Sequence, residues 1–220
     1  MVRLNRAGRK RSRKENVRLS GPGNYLIVTE GTETEVNYFE NIKEKIESLF
    51  RNNIIVDKVS LQVEGKGRST MVLVKEVLKM RSLSNYSEVW VVFDKDDNED
   101  FDEAITFAKK QGLNVAWSNE CFELWLLLHF QNLNSAISRD GYYDKLKTHF
   151  SNRNINNGVY SKNIKEIFYI TFPFVNMAIK RSNSLIEDYR EDNIFSPNKM
   201  NPCTTVQDLV ENLIKYVQPK

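Results

Sequence analysis

The chain has 220 residues, of which 40% are hydrophobic and 28% charged. This apolar share excludes intrinsic disorder for most of the length and fits one large domain. The net charge of +3 is unevenly distributed, because residues 1–19 carry eight basic side chains and one acid, which leaves −4 for the rest of the chain. We therefore predict a basic flexible arm, residues 1–23, attached to a mildly acidic folded body.

The sequence favours a cytoplasmic protein that does not associate with membranes. No apolar run reaches the ~18 residues that a membrane-spanning helix needs. No apolar segment follows the N-terminal charges, as it would in a secretory signal. The two cysteines, Cys121 and Cys203, lie far apart and lack the C-x-x-C spacing of zinc and redox sites, which suits a reducing cytosol.

Predicted strands and helices alternate from residue 24 onward. The first strand, Tyr25–Val28, leads into a helix that Thr32 and Glu35 are predicted to begin as a capping box. A second strand, residues 54–63, runs through a glycine-rich basic turn, residues 64–70, into a second helix with apolar residues at helical spacing.

The second half of the pattern repeats this alternation. A third strand, Val89–Phe93, is apolar on both faces, as a buried parallel strand should be. A third helix begins near Asp100, with Glu103 completing another predicted capping box, and a short strand at residues 114–117 follows. A fourth helix has an apolar stripe of Phe122, Trp125, Leu126, His129 and Phe130. The order predicts an α/β fold, a parallel sheet flanked by helices on both faces.

No segment after about residue 133 is predicted to be a strand. Thr204 and Gln207 predict a capping box at the start of the last helix. We predict a helical C-terminal region, residues 133–220, packed on the α/β domain of residues 24–132. Its predicted helices cover residues 139–150, 161–170, 174–191 and 205–217.

Acidic side chains follow the predicted strands, at the edge where open parallel sheets bind ligands. Asp94 and Asp96 are two residues apart, so on extended backbone their carboxylates point the same way. Crowded carboxylates repel each other unless a hard cation neutralises them, and oxygen ligands select Mg²⁺ or Mn²⁺. The alternative is a solvated acidic turn, with Glu30 as a dipole-compensating acid. The predicted metal ligands are Glu30, Asp94, Asp96 and Asp97.

These motifs resemble known ones. Glu30-Gly31 after the first strand and Asp94-x-Asp96 after the third match, in order, the two acidic motifs of the TOPRIM fold. The chain is also similar to the RloB family over roughly residues 24–215. Residues 118–129 carry the most specific part of this similarity, and the other matching stretches are residues 27–39, 92–97 and 201–206.

The RloB resemblance implies a TOPRIM-like, metal-dependent nuclease associated with restriction and phage-defence loci, often beside a partner ATPase. Related TOPRIM effectors cut RNA, including transfer RNA. The resemblance implies that Glu30, Asp94 and Asp96 are metal-binding and catalytic acids, with Glu123 and His129 as supporting catalytic residues. The family also leads us to expect proline where Glu120 stands, a departure that alters the start of the helix.

The residues themselves leave both supporting roles open. Glu123 lies off the apolar stripe, so we expect it close to the active edge rather than buried in the main core. His129 lies on the stripe, which favours a hydrogen-bonded core histidine over a catalytic one.

Basic side chains are predicted to contact nucleic acid. The turn at residues 65–70 either cradles a phosphate at a helix N-terminus or is a simple tight turn, and it lacks the spacing of an ATP-binding P-loop. The arm is a nucleic-acid tether, a partner-binding tail or a solubilising tail, and the first reading is favoured because clustered Arg and Lys neutralise phosphates. The predicted contacts are Lys66, Arg68, Lys95, Arg9, Lys10, Arg11, Arg13 and Lys14.

We predict a Mg²⁺- or Mn²⁺-dependent nuclease that hydrolyses phosphodiester bonds of RNA, including transfer RNA, or of DNA in antiphage defence. Glu30 is either a metal ligand or the general base for the attacking water. Two alternatives stay open: a non-enzymatic sensor or adaptor for a partner ATPase, and nucleotidyl transfer of the primase kind. The sequence also leaves open whether the chain forms a homo-oligomer.

Overall fold

The computed structural model describes residues 23–49, 54–58, 70–83 and 85–217. Most of the predicted nucleic-acid contacts lie outside the described residues and stay predictions. These are Arg9, Lys10, Arg11, Arg13 and Lys14 of the arm and Lys66 and Arg68 of the glycine-rich turn.

Strands and helices alternate through the first half of the described chain, as predicted. They are β1 (Tyr25–Thr29), α1 (Thr34–Leu49), β2 (Ile54–Lys58), α2 (Thr70–Arg81), β3 (Glu88–Asp94), α3 (Phe101–Lys110), β4 (Asn114–Asn119) and α4 (Glu123–Leu128). The second half is mainly helical and contains, besides short 3-10 turns, α5 (Arg139–Asn152), α6 (Ile167–Thr171), α7 (Val175–Glu191), β5 (Cys203–Thr204) and α8 (Val206–Ile214).

The sheet has the strand order β2-β1-β3-β4-β5. The strands β1 to β4 are parallel, and Thr29 of β1 lies beside Val92 of β3. Every residue of β1 and all but the first residue of β3 are buried. Because successive side chains of a strand point to opposite faces, this burial means that the sheet is covered on both sides. The predicted α/β fold with a mostly parallel sheet is confirmed.

The prediction of no strand in the C-terminal region is wrong at β5. This strand pairs antiparallel with the end of β4, where Cys203 lies beside Asn119 and Thr204 beside Ser118. The hydroxyl of Thr204 donates to the carbonyl of Trp117 at 3.0 Å and lies 3.1 Å from the hydroxyl of Ser118. Two residues are too few to show an alternating pattern in sequence. The C-terminal region therefore contributes a strand to the sheet as well as helices.

Two of the predicted capping boxes are wrong, because the side chains have partners elsewhere. Asp100 makes no side-chain cap on α3, and its carboxylate instead accepts the Met71 N–H at the start of α2, 3.0 Å away. Gln207 accepts a hydrogen bond from the buried Ser182 hydroxyl of α7 at 2.7 Å. Sequence spacing detects only local partners, whereas here distant chain segments supply them. The first helix also begins at Thr34 rather than at Thr32.

One hydrophobic core joins the sheet to the C-terminal region. All six residues of α4 are buried, and this helix packs against α5 and α7. The ring of Tyr38 in α1 makes edge contacts with Trp125 of α4 and Phe168 of α6, with centroids 6.4 Å and 5.4 Å apart. Among the described residues, no helix is both long and apolar enough to cross a membrane.

Candidate active site

The strand order places the ends of β1 and β3 at a topological switch point. From β1 the chain continues to β2 on one side of the sheet, and from β3 it continues to β4 on the other. Open parallel sheets leave a crevice at such a point, beyond the carboxyl ends of the strands. Glu30 directly follows β1, and its N–H donates to the Val92 carbonyl at 2.9 Å, while Asp94 ends β3. Both acids therefore stand at the crevice.

A cavity of 160 Å³ lies at this edge of the sheet. It brings together four of the predicted site residues with four charged residues that the sequence analysis did not assign to the site. The predicted ones are Glu30, Asp94, Asp96 and Glu123, and the others are Glu33, Glu35, Arg139 and Lys162. Glycine and threonine residues that follow β1 complete the lining.

Three of the predicted site residues that the structure describes do not line this cavity. Asp97 is exposed on the turn after β3. Lys95 is half-buried, and its ammonium donates to the carbonyl of Asp96 at 2.8 Å, so it supports the turn. His129 is buried, with Nδ1 2.9 Å from the Trp125 carbonyl, and burial lowers its pKa to about 4. It is therefore neutral at pH 7, as a core histidine would be.

Asp94 and Asp96 form an aspartate pair at the cavity, and Asp94 is the more enclosed of the two. Its side chain is 12% exposed, and Oδ2 accepts the N–H of Phe122 at 3.1 Å. Burial and the nearby carboxylates of Glu35, Glu123 and Asp96 raise the pKa of Asp94 well above its usual range. Ionised Asp94 is therefore energetically unfavourable unless a positive charge stands beside it.

The expectation that Asp94 and Asp96 share extended backbone is wrong. The strand ends at Asp94, and Asp96 lies in a turn with φ of 39°, a left-handed conformation that aspartate tolerates better than most residues. The Asp96 N–H donates to the Glu120 carbonyl at 3.3 Å, and the peptide bond between Asn119 and Glu120 is cis. The two carboxylates face the same cavity because of this turn, not because of strand periodicity.

Arg139 is the cation in contact with the aspartate pair. It is the first residue of α5, and the N-cap Ser138 accepts the N–H of Gly141 at 3.3 Å. Its Nη2 contacts Oδ1 of Asp96 and lies 3.7 Å from Oδ2 of Asp94. Burial lowers the pKa of the guanidinium, and the carboxylates of Asp96 and Asp94 raise it by more. No motif marks Arg139, which reaches the cavity from a distant part of the chain.

Glu123 is held by two residues of the loop before α6. It is only 3% exposed, and its Oε1 accepts the Tyr160 hydroxyl at 3.5 Å and lies 3.6 Å from the ammonium of Lys162. Thr34 donates its hydroxyl to the carbonyl of Lys162 at 3.1 Å, which ties this loop to the start of α1. Glu123 lies at the active edge, as expected, and residues of the C-terminal region bury it there.

Glu35 is an acid of the cavity that the sequence analysis treated only as a helix cap. A Cβ atom on Gly31 would lie 2.2 Å from its carboxylate, so the absence of a side chain at Gly31 leaves room for Glu35. Burial, together with Glu123 and Glu30, raises the pKa of Glu35 to about 7. Its position in the first turn of the helix that follows Glu30 is the signal that could have identified it.

Wild-type protein should lose stability as the pH rises and Glu35 ionises, and replacing Glu35 with glutamine should abolish this loss. The pKa of Glu35 is raised from 4.5 to about 7, so its contribution to stability is fully present below pH 4.5 and is lost as the pH rises through 7. Urea unfolding of the metal-free protein between pH 4.5 and 8 should show Glu35→Gln gaining stability over wild type as the pH rises. A stability difference that does not change with pH would contradict this.

The donor chemistry of the cavity fits Mg²⁺ or Mn²⁺. Its candidate ligands are carboxylate oxygens, and no histidine or cysteine of the described residues lines it. Within the described ranges, however, no three His, Cys, Asp or Glu side chains are arranged so that they could hold a metal ion together. At the aspartate pair the positive charge is that of Arg139. The metal ligands therefore stay a prediction.

The fold and this cavity define a mixed α/β protein with a charged pocket at the switch point of its sheet. Residues 25–213 match the family described as RloB-like protein. The chain therefore belongs to the RloB-like family, which confirms the predicted similarity to the RloB family. Neither the curated proteins nor the solved structures contain a match.

Proposed function

We propose that this RloB-like protein is a TOPRIM-like, metal-dependent nuclease that hydrolyses phosphodiester bonds of RNA, including transfer RNA, or of DNA in antiphage defence. The observation that supports it is the convergence of Glu30, Asp94 and Asp96 at the switch point, in one cavity with the basic side chains of Arg139 and Lys162. Carboxylates suit a divalent cation, and basic side chains suit the oxygens of a phosphate. Such a pocket is typical of phosphoryl chemistry.

Each charged residue has a role in this proposal. Asp94 and Asp96 hold the divalent ion, which when bound neutralises the charge that develops on the phosphoryl oxygens. Glu30 accepts the proton of the attacking water. Lys162, whose side chain is 39% exposed, binds a phosphate oxygen from the rim. Because burial and nearby carboxylates raise the pKa of Asp94, ion binding and cleavage should both strengthen as the pH rises.

The size of the cavity indicates which part of the substrate enters it. Its 160 Å³ is below the roughly 300 Å³ at which pockets for whole small molecules begin. A backbone phosphate fits such a volume, whereas a complete nucleotide does not. We therefore expect the nucleic acid to lie across the opening with its bases outside and the scissile phosphate inside.

The test is cleavage of labelled transfer RNA, single-stranded RNA and DNA with Mg²⁺, Mn²⁺ or a chelator. Cleavage should require the ion and fall about 10²- to 10⁴-fold in Glu30→Gln, the range for loss of a positioned base. The matched control is Asp144→Asn, because this acid of α5 is 76% exposed and does not line the cavity. Unchanged cutting by Glu30→Gln would exclude Glu30 as the base.

A non-enzymatic sensor or adaptor for a partner ATPase is the second candidate. The contact of Arg139 with both aspartates favours it, because an acid pair neutralised by an arginine is also expected in a cluster with a purely structural role. Calorimetric titration with nucleotides distinguishes the two. Tight binding without turnover, with the partner ATPase present as well as absent, would support the sensor and exclude the nuclease.

A further inference from the structure

We infer that Arg139 competes with a divalent cation for Asp94 and Asp96. In the metal-free protein the guanidinium neutralises the aspartates, and it leaves them when an ion binds. This inference rests on the proposed function for the presence of an ion. It goes further by assigning Arg139 as a residue that controls how tightly the ion is held.

The geometry places the guanidinium where the ion would bind. One nitrogen, Nη2, contacts Oδ1 of Asp96 and lies 3.7 Å from Oδ2 of Asp94. Arginine keeps its charge at any physiological pH, and two cations a few ångströms apart repel each other strongly in a partly buried site. An ion held by both aspartates therefore excludes Arg139 from its present position.

The surroundings of Arg139 allow it to leave. Its side chain is 41% exposed and extends from the first residue of α5, and the ion pairs that its release would break are those with Asp94 and Asp96. Among the described residues, its buried Nε has no hydrogen-bond partner. A buried N–H without a partner costs free energy, and movement into solvent would remove this cost.

The second cation of the cavity provides a charge-matched comparison. Lys162 lies 3.6 Å from Glu123, and no ion pair between it and either aspartate is found in the described chain. Replacing Lys162 removes the same charge from the same cavity without removing a competitor at the aspartates. A difference between the two substitutions therefore isolates direct competition from general electrostatics.

The experiment is a titration with Mn²⁺, in which electron paramagnetic resonance counts the free ion. Arg139→Gln should bind Mn²⁺ about tenfold more tightly than wild type, or better, because the nearest positive charge is gone. Lys162→Gln should change the dissociation constant by less than about threefold, since Coulomb interactions weaken with distance. Arg139→Lys, which keeps the charge, should bind the ion close to wild type.

Several outcomes would overturn the inference. One is equal or weaker Mn²⁺ binding by Arg139→Gln, and another is equal tightening by Lys162→Gln. No binding by Arg139→Gln at millimolar Mn²⁺ would overturn both the inference and the metal-dependent part of the proposed function. Tightened binding without any cleavage would support the inference and contradict the nuclease.

A measurement on the wild-type protein avoids dependence on the folding of a variant. The NMR signal of the Arg139 side-chain N–H, assigned by comparison with Arg139→Lys, should shift and exchange faster with water as Mg²⁺ is added. An Arg139 signal that stays unchanged while Mg²⁺ binds would mean that the guanidinium does not leave, and the inference would fail.

Discussion

Replacing Asp94 with asparagine is expected to lower the cleavage rate by about 10²- to 10⁴-fold without destabilising the fold. Under the proposed function, activity falls because the variant loses a carboxylate that would hold the ion. Stability does not fall, because burial and the nearby carboxylates of Glu35, Glu123 and Asp96 raise the pKa of Asp94 and disfavour its charge. Arg139 also keeps its closer contact, the one with Asp96. Asparagine also keeps an oxygen that can accept the N–H of Phe122. A loss of function with unchanged or increased stability is typical of a functional acid.

Single-turnover cleavage and urea unfolding measure the two effects of this substitution. Asp97→Asn is the comparison from the same turn, since this exposed acid does not line the cavity, and it should cut at the wild-type rate. Loss of cutting in Asp97→Asn would restore Asp97 as a metal ligand. A decrease of more than about 2 kcal/mol in the unfolding free energy of Asp94→Asn would instead indicate a structural role.

Truncation of Trp125 to alanine is expected to lower the unfolding free energy by about 3–5 kcal/mol. The indole is fully buried, at 0% exposure. Its ring centroid lies 6.4 Å from that of Tyr38 and 4.8 Å from that of His129. The contact with Tyr38 joins α4 to α1, so truncation would leave a cavity between these two helices. A fold of ordinary stability would lose much of its margin.

Urea or thermal unfolding monitored by circular dichroism measures this loss. The control is Leu83→Ala, because Leu83 is 81% exposed and its truncation should change the unfolding free energy by less than about 0.5 kcal/mol. A cost below about 1 kcal/mol for Trp125→Ala would mean that α4 is not part of the continuous core. Two separate unfolding transitions would also mean that the core is not continuous.

The acids of the pocket were predictable where a local pattern carried them. Glu30 and Asp94 each follow an apolar strand, so parallel pairing alone places them at one edge. Glu35 was predicted only as part of a capping box, because its spacing from Thr32 matches that motif. Sequence spacing does not determine the direction in which a side chain points. The carboxylate occupies the space that Gly31 leaves free, and this detail depends on three-dimensional packing.

The basic half of the pocket was not predictable in this way. Arg139 begins a helix and Lys162 lies in a loop, and neither residue belongs to a motif or follows a strand. They reach the acids only because the C-terminal region folds back on the sheet, through β5 and the shared core. Contacts between residues so far apart in the chain leave no pattern in a single sequence.

The amino-acid sequence by itself determined the alternation of strands and helices, the family and the acidic strand ends, because each depends on neighbours within a few residues. Tertiary structure alone decided the turn that aims Asp96 into the cavity, the burial of Glu123 and the pairing of the aspartates with Arg139. These features depend on where distant segments meet, and the electrostatic energy of a charge is set by its distance and burial in space. Patterns along the chain specify neither the distance between two charges nor their burial.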